Sequence, residues 1–175
     1  MGHPSRKVSE TDLAKAWIIW LVDTRRGYLE ALLRLSTKER LRDRGASYPS
    51  MQDIFLHILD NNSWWFESVV RDRQGAHREI KGPLSAADVR RHVFRIARSS
   101  RQLARSLTPD RLNRSFTVRG TSGDGTPFEM RMNLRTIIWH MVEEELQHRG
   151  ELNALFWQQD VDAPTRAWFS STLAE

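Results

Sequence analysis

The sequence contains no cysteine, which removes disulfides, thiolate metal ligands and cysteine nucleophiles from consideration and leaves the redox compartment open. A metal held by this chain has only nitrogen and oxygen donors available. Long apolar stretches are missing too. The longest uninterrupted one, Ala16–Val22, falls far short of the roughly 20 residues that span a bilayer, and the leading MGHPSRKVSETD has no apolar segment of the kind a secretion signal requires. A soluble, cytoplasmic protein with no membrane partner is expected. Internal repeats and low-complexity segments are lacking as well, which excludes a solenoid.

What is present suits one globular unit. A 39% apolar share over 175 residues is enough for a single domain with a sizeable core; residues 1–8 are polar and predicted to be disordered, leaving 9–175 as that domain. Lysine and arginine exceed aspartate and glutamate by 27 to 22. Spread over a domain of this size, a net charge of +5 is a modest field that serves solubility first and nucleic-acid attraction second.

Helical periodicity dominates. Ser9-Glu10-Thr11-Asp12 is a capping signal, after which Leu13, Trp17, Trp20, Leu21, Tyr28, Ala31, Leu32 and Leu35 repeat at three- and four-residue steps and form one buried face. Ile19, Val22 and Leu33 fall off that face and point to a second contact, either the interface of a homodimer or a further helix of the chain folded against this one. Thr37–Ala46 is a charged connection. A second helix opens at Ser50 and buries Met51, Ile54, Phe55, Ile58, Trp65 and Val69, with His57 at the stripe's edge, Asn61 one turn on and Trp64 at i+7. Residues 72–84 form a polar loop. The capping box Ser85/Asp88 starts a third long helix with Val89, Val93, Ile96, Ala97 and Leu103 inside and Arg91, Arg95, Arg98 and Arg105 outside. Arg91, Arg95 and Arg98 are the nucleic-acid candidates, although no interleaved aromatics accompany them and a solvated face is the better account. Ser115–Val118 and Phe128–Met132 alternate as two short strands around a glycine-rich turn containing Gly120, Gly123 and Gly125. Asn133 caps the last long helix, and a short amphipathic tail with Trp168, Phe169 and Leu173 follows and is expected to pack on the bundle. These elements predict an all-α four-helix bundle with a short β-hairpin before the last long helix.

Chemistry concentrates in Leu134–Trp157. At 100° per residue, Leu134, Ile137, Met141, Leu152 and Leu155 share one face, and Glu144 and His148 lie near its centre. A carboxylate on a core face must be paired, hydrogen-bonded or bound to a cation. His140, Glu144 and His148 are spaced by fours, and eight residues of helix rise about 12 Å, too far for both histidines to reach one ion from a straight helix. The ligand pair is therefore His140 with Glu144 or Glu144 with His148. The second is better centred on the stripe, which leaves His140 a pocket-lining, second-tier or structural role. Glu143 points to solvent and Glu145 to the rim. Gly150, in mid-helix, costs about 1 kcal/mol relative to alanine; close approach of the first helix or a substrate, or ordinary tight packing, would account for it.

His57 followed by Asn61-Asn62-Ser63-Trp64-Trp65, together with His140-x3-Glu144-x3-His148-Arg149-Gly150-Glu151-Leu152, resembles the DinB/YfiT-like metalloenzymes over nearly the whole chain. The resemblance implies a four-helix bundle that binds a divalent metal, zinc or nickel, through His57, Glu144 and His148. Glutamate at position 144, where many members carry histidine, resembles the branch of mycothiol-dependent maleylpyruvate isomerase and related thiol transferases. The implied activity is that of a metal-dependent transferase or hydrolase acting on a small molecule, with any thiolate brought by a low-molecular-weight thiol. Asn61, Trp64, His140 and Glu151 are the pocket candidates. A non-catalytic metal-binding or structural bundle is the competing reading.

Overall fold

Every long helix begins at a side chain that satisfies the first orphan N–H groups. In a computed structural model describing residues 8–121 and 124–164, Ser9 Oγ accepts from Asp12 N–H at 3.1 Å while Asp12 reaches back to Ser9, starting α1 (Glu10–Arg34). Ser36 opens the short α2 (Thr37–Arg40), Ser50 opens α3 (Met51–Asn62), and Ser85 opens α4 (Ala86–Arg105). Thr108 with Pro109 at the first turn starts α5 (Pro109–Asn113), and Asn133 starts α6 (Leu134–Trp157), its side chain accepting from Thr136 N–H at 2.8 Å. The fold is mostly helical. Its strands are β1 (Ser115–Thr121) and β2 (Pro127–Asn133), antiparallel with Ser115 opposite Asn133 and Val118 opposite Met130. The hairpin thus lies where the alternation placed it, longer at both strands.

The four long helices contact one another in a ring: α1 lies against α4 and α6, and α3 against the same two. Two apolar clusters fill it. One holds Ile18, Leu21, Phe66, Leu103, Ile137 and Met141, the other Tyr28, Leu32, Phe55, Ile96, Leu152 and Phe156. Full burial of each such side chain stabilises by about 1.5–3 kcal/mol. On each long segment a buried polar residue separates the two clusters: Arg25, Asn62, Ser100 and Glu145.

Beyond Asn62, α3 continues as a π-helical turn, Ser63–Val69, closed by the Val70 N–H to the Trp65 carbonyl at 3.0 Å. Ser68 Oγ donates to the Ser63 carbonyl at 3.4 Å across the widened turn. The following loop is tied back to α3 by Asp60, which accepts from Ile80 N–H at 2.7 Å and lies 3.1 Å from His77 Nε2; His77 Nδ1 in turn meets Ser68 Oγ at 3.2 Å.

Of the two readings of the second contact on α1, packing within the chain holds for two of its three residues. Val22 is in the core and Leu33 packs against the second cluster, because α1 touches two neighbours rather than one; only Ile19 remains exposed. Among the described residues no helix is long and apolar enough to cross a membrane. Trp168, Phe169 and Leu173, and the turn residue Gly123, lie outside the described residues.

Candidate metal centre

Midway along the ring, α3 and α6 bring His57, Glu144 and His148 together, with one ligand atom from each lying within 4.8 Å of the others. Glu144 Oε2 stands 3.8 Å from His57 Nε2 and 3.8 Å from His148 Nε2. Donors about 2.0–2.2 Å from a common ion stand roughly 3–4 Å apart, so these separations suit one divalent cation. His140 is not in the cluster. It sits one helical turn away with its ring edge-on to Trp65, 5.1 Å between centroids.

Both imidazoles are held by their far nitrogens. His148 Nδ1 lies 3.1 Å from Glu151 Oε2, and that carboxylate, an acceptor only, requires the Nδ1 proton and leaves Nε2 with its lone pair facing Glu144. Glu151 is fixed from the other side by the Ser47 N–H (2.8 Å) and Ser47 Oγ (2.6 Å). His57 Nδ1 lies 2.7 Å from the Tyr48 hydroxyl, and the rings stack at 4.4 Å. Asn61 Nδ2 donates to His57 Nε2 at 3.1 Å and to Glu144 Oε2 at 3.0 Å, which again requires an unprotonated Nε2 on His57. Both histidines are therefore set in the tautomer that ligates through Nε2.

The electrostatics agree. Burial, reinforced by His148, pushes the His57 imidazole below its ordinary value and favours the neutral ring. Burial also pushes the Glu151 carboxyl up, but the Ser47 and His148 hydrogen bonds outweigh it and leave the group below the usual range. Tyr48 is raised, by burial first and then by Glu144, and stays a phenol. His148 is buried, whereas 24% of the His57 side chain and 28% of the Glu144 side chain face solvent. The cluster is thus closed by Ile58 and Met141 on one side and open on another.

Other site residues predicted from sequence fall as follows. Asn61 bridges two ligand candidates and Glu151 backs the third. Trp64 does not join them: its ring meets His77 at 5.2 Å and lines a cleft with Arg73, Gln74 and Arg119. The π turn is the reason, since it breaks the 100° wheel after Asn62 and turns Trp65, not Trp64, towards α6. On α4, Arg91 pairs with Asp88 and Arg95 with Glu67, while Arg98 is exposed. That face carries less free positive charge than its arginines suggest.

Glu145 corrects the rim assignment. It is 2% exposed and takes Arg25 Nε at 2.7 Å together with Arg25 Nη2. The Asn62 amide, oriented with its oxygen towards Arg25 (2.9 Å) and its nitrogen towards Ser100 Oγ (3.1 Å), completes a network touching all four long segments. Desolvation pushes the Glu145 carboxyl up, opposed by Arg25 and Arg149. Arg149 stacks its guanidinium over Trp20 at 4.4 Å and Tyr28 at 5.3 Å, which fastens α6 to α1. Gly150 is also corrected. It is exposed, and a Cβ built on it meets nothing within 4 Å, so neither α1 nor internal packing requires it.

Tyr48 and Ser47 are the site residues that the pattern of the sequence did not reveal. They precede the α3 cap, and the nearby Pro49-Ser50 reads only as a helix start.

A mostly helical ring with a His/Glu/His cluster between two of its helices defines a class of candidate metal-binding bundles. The model of the DinB superfamily matches residues 21–152, and the chain belongs to that superfamily. No curated protein matches the chain.

Proposed function

We propose that this protein is a divalent-metal-dependent enzyme of the thiol-transferase or hydrolase kind, built as a four-helix bundle and using His57, Glu144 and His148 as ligands. The observation that carries the reading is the pairing of three converging donors with two imidazoles whose Nδ1 atoms are already engaged by Tyr48 and Glu151. A nitrogen–oxygen donor set without thiolate suits zinc or nickel. When bound, such an ion supplies Lewis acidity and lowers the pKa of a coordinated water or external thiol.

The chain's own residues supply the rest. Glu151 and Tyr48 orient the rings, and Glu144 offsets part of the ion's charge. Ile58 and Met141 exclude water from the inner side, while the exposed edges of His57 and Glu144 give a small molecule its approach. Since the chain has no cysteine, a thiolate nucleophile comes from a low-molecular-weight thiol, as the resemblance to mycothiol-dependent enzymes suggests. Asn61, which hydrogen-bonds to both His57 Nε2 and Glu144 Oε2, must turn aside for loading and is then free to donate to a substrate.

The test is metal analysis of untagged protein purified without added metal. Stoichiometric zinc or nickel in the wild type, lost in His57→Ala and His148→Ala, is the expected result; unchanged metal content in both variants refutes the site. The enclosed inner side favours a second reading, a non-catalytic structural metal. A coordination shell with no exchangeable water, measured by X-ray absorption, would select it.

A further inference from the structure

Outside the metal cluster, Asp60, His77 and Ser68 form a relay of three side chains. Asp60 Oδ1 lies 3.1 Å from His77 Nε2, and His77 Nδ1 lies 3.2 Å from Ser68 Oγ. A carboxylate only accepts, so the ring proton sits on Nε2 and the Nδ1 lone pair faces the hydroxyl. Asp60 Oδ1 also takes the Ile80 N–H at 2.7 Å, and the Trp64 ring stands edge-on to the imidazole at 5.2 Å. The imidazole is thus held in one tautomer and one orientation. The hydroxyl's other acceptor, the Ser63 carbonyl, is farther away at 3.4 Å.

The π turn assembles this relay. A regular helix continued from α3 would carry Ser68 about 80° round from Asp60. The wider turn over Ser63–Val69 brings it back towards that face, where one imidazole reaches both. Such turns are concentrated at functional sites.

Ser68 and His77 line a cavity of about 550 Å³ enclosed by the π turn, the loop after it and α4, a size that admits a small molecule. Ser68 is 5% exposed, so only a substrate seated in the cavity reaches it. Ile80 and Leu84 supply apolar wall, and the two carboxylates are neutralised, Glu67 by Arg95 and Glu79 by Lys81. Arg73 and Arg78 also line the cavity, and neither has a carboxylate partner among the described residues. Both are anchored to the relay: the Arg73 N–H donates to the Ser68 carbonyl at 2.7 Å, and Arg78 Nη1 donates to the His77 carbonyl at 3.1 Å.

We propose that Ser68, His77 and Asp60 form a second, metal-independent centre that hydrolyses small carboxylic esters bearing an anionic group. A nucleophile within reach of a base that a third group orients is the arrangement acyl transfer requires. Ser68 Oγ bonds to the ester carbonyl carbon while its proton passes to His77 Nδ1. The bond to the alcohol oxygen then breaks, and the alcohol leaves with the proton from Nδ1. Water adds to the acylated Ser68 and gives its proton to Nδ1; the acid departs and Ser68 Oγ recovers that proton. Asp60 exchanges no proton: it positions the ring and offsets its transient charge. The two unpartnered guanidinium groups receive the substrate's anionic group and offset the charge that develops on the carbonyl oxygen. The centre shares no residue with the metal cluster and does not rest on it.

An alkyl fluorophosphonate on the full chain, with and without chelator, tests this. Mass spectrometry should find Ser68 phosphonylated in both samples, no label at that position in Ser68→Ala, and labelling slowed at least ~100-fold in His77→Gln, as for loss of a general base. Hydrolysis of 4-nitrophenyl hemisuccinate should exceed that of 4-nitrophenyl acetate at least ~10-fold in kcat/KM, as for one charge-assisted hydrogen bond. Arg73→Met/Arg78→Met should bring the two esters together. Asp60→Asn should lower kcat at nearly constant KM; a rise in KM alone would leave Asp60 a loop anchor and remove it from the relay. An unlabelled Ser68 in the wild type overturns the proposal whatever the variants do. So does labelling indifferent to His77→Gln, or hydrolysis abolished by chelator, which would move the chemistry to the metal centre. Equal turnover of the two esters by the wild type overturns the anionic substrate class.

Discussion

Glu151 never touches the cluster's inner space, yet it decides which nitrogen of His148 carries the proton. Removing such a partner from a ligating histidine typically costs ten- to a hundredfold in metal affinity. Glu151→Gln should lose that much in a chelator-competition titration, while Glu143→Gln, on the exposed flank, should not change it; equal affinities in both would remove Glu151 from its orienting role. Tyr48→Phe, which deletes the acceptor of the His57 Nδ1 proton, should weaken binding in the same direction by a smaller factor, since a phenol is a poorer acceptor than a carboxylate. At the Arg25–Glu145 pair the readout is stability. Arg25→Met leaves a buried carboxylate without its counter-ion, and a loss of about 3–5 kcal/mol is expected in denaturant unfolding. Arg25→Met/Glu145→Leu should recover much of it. A double variant as unstable as the single one would show that packing, rather than charge, sets the cost.

Elements whose logic is local were readable from the chain. Ser9, Ser50, Ser85 and Asn133 each announce a helix start through a side-chain oxygen three residues before an N–H, and all four do cap. The two strands betray themselves by alternation. What was hidden depends on neighbours. Glu145 falls near the rim of a wheel drawn for α6 alone, and only the presence of Arg25 on α1 moves it inside. Trp65 is buried as its place on the stripe predicts, whereas Trp64 leaves the position a regular helix would give it because a π turn follows Asn62, and a change of helical pitch leaves no compositional mark. The loop after that turn depends on Asp60 as its anchor. Asp60→Ala, which removes the acceptor for Ile80 N–H and the contact with His77, should speed hydrogen exchange across residues 74–80 and leave the metal content unchanged. At the start of α4, burial and then Arg95 and Arg91 lower the His92 imidazole's affinity for protons, against weaker opposition from Asp88 and Glu67. The sign follows from linkage: the unfolded ring takes up a proton near pH 6.5 and the folded one only at lower pH, so stability is lost as pH falls through that interval. Thermal melts of metal-free protein should show His92→Gln flattening part of the decline between about pH 7 and pH 5; parallel curves would exclude His92.

For the whole molecule, the proposed metal site links metal and fold by mass action. A ligand that binds the native state alone at a hundred times its dissociation constant stabilises by about 2.7 kcal/mol. Stripping the metal should therefore lower the melting temperature, and His148→Ala should abolish the difference between loaded and stripped samples; a persisting difference would place the ion elsewhere. The polar layer between the two apolar clusters has a kinetic consequence. Arg25, Asn62, Ser100 and Glu145 come from all four long segments, so any partial assembly that lacks one helix traps at least one of these groups in a low-dielectric setting with its hydrogen bonds unmade. Three-helix intermediates are raised in energy for that reason, and the two clusters cannot consolidate separately. Folding and unfolding should then be single-exponential with a V-shaped denaturant dependence. In Arg25→Met/Glu145→Leu, where the charged part of that penalty is removed and only Asn62 and Ser100 remain, curvature at low denaturant should mark the first appearance of a populated intermediate.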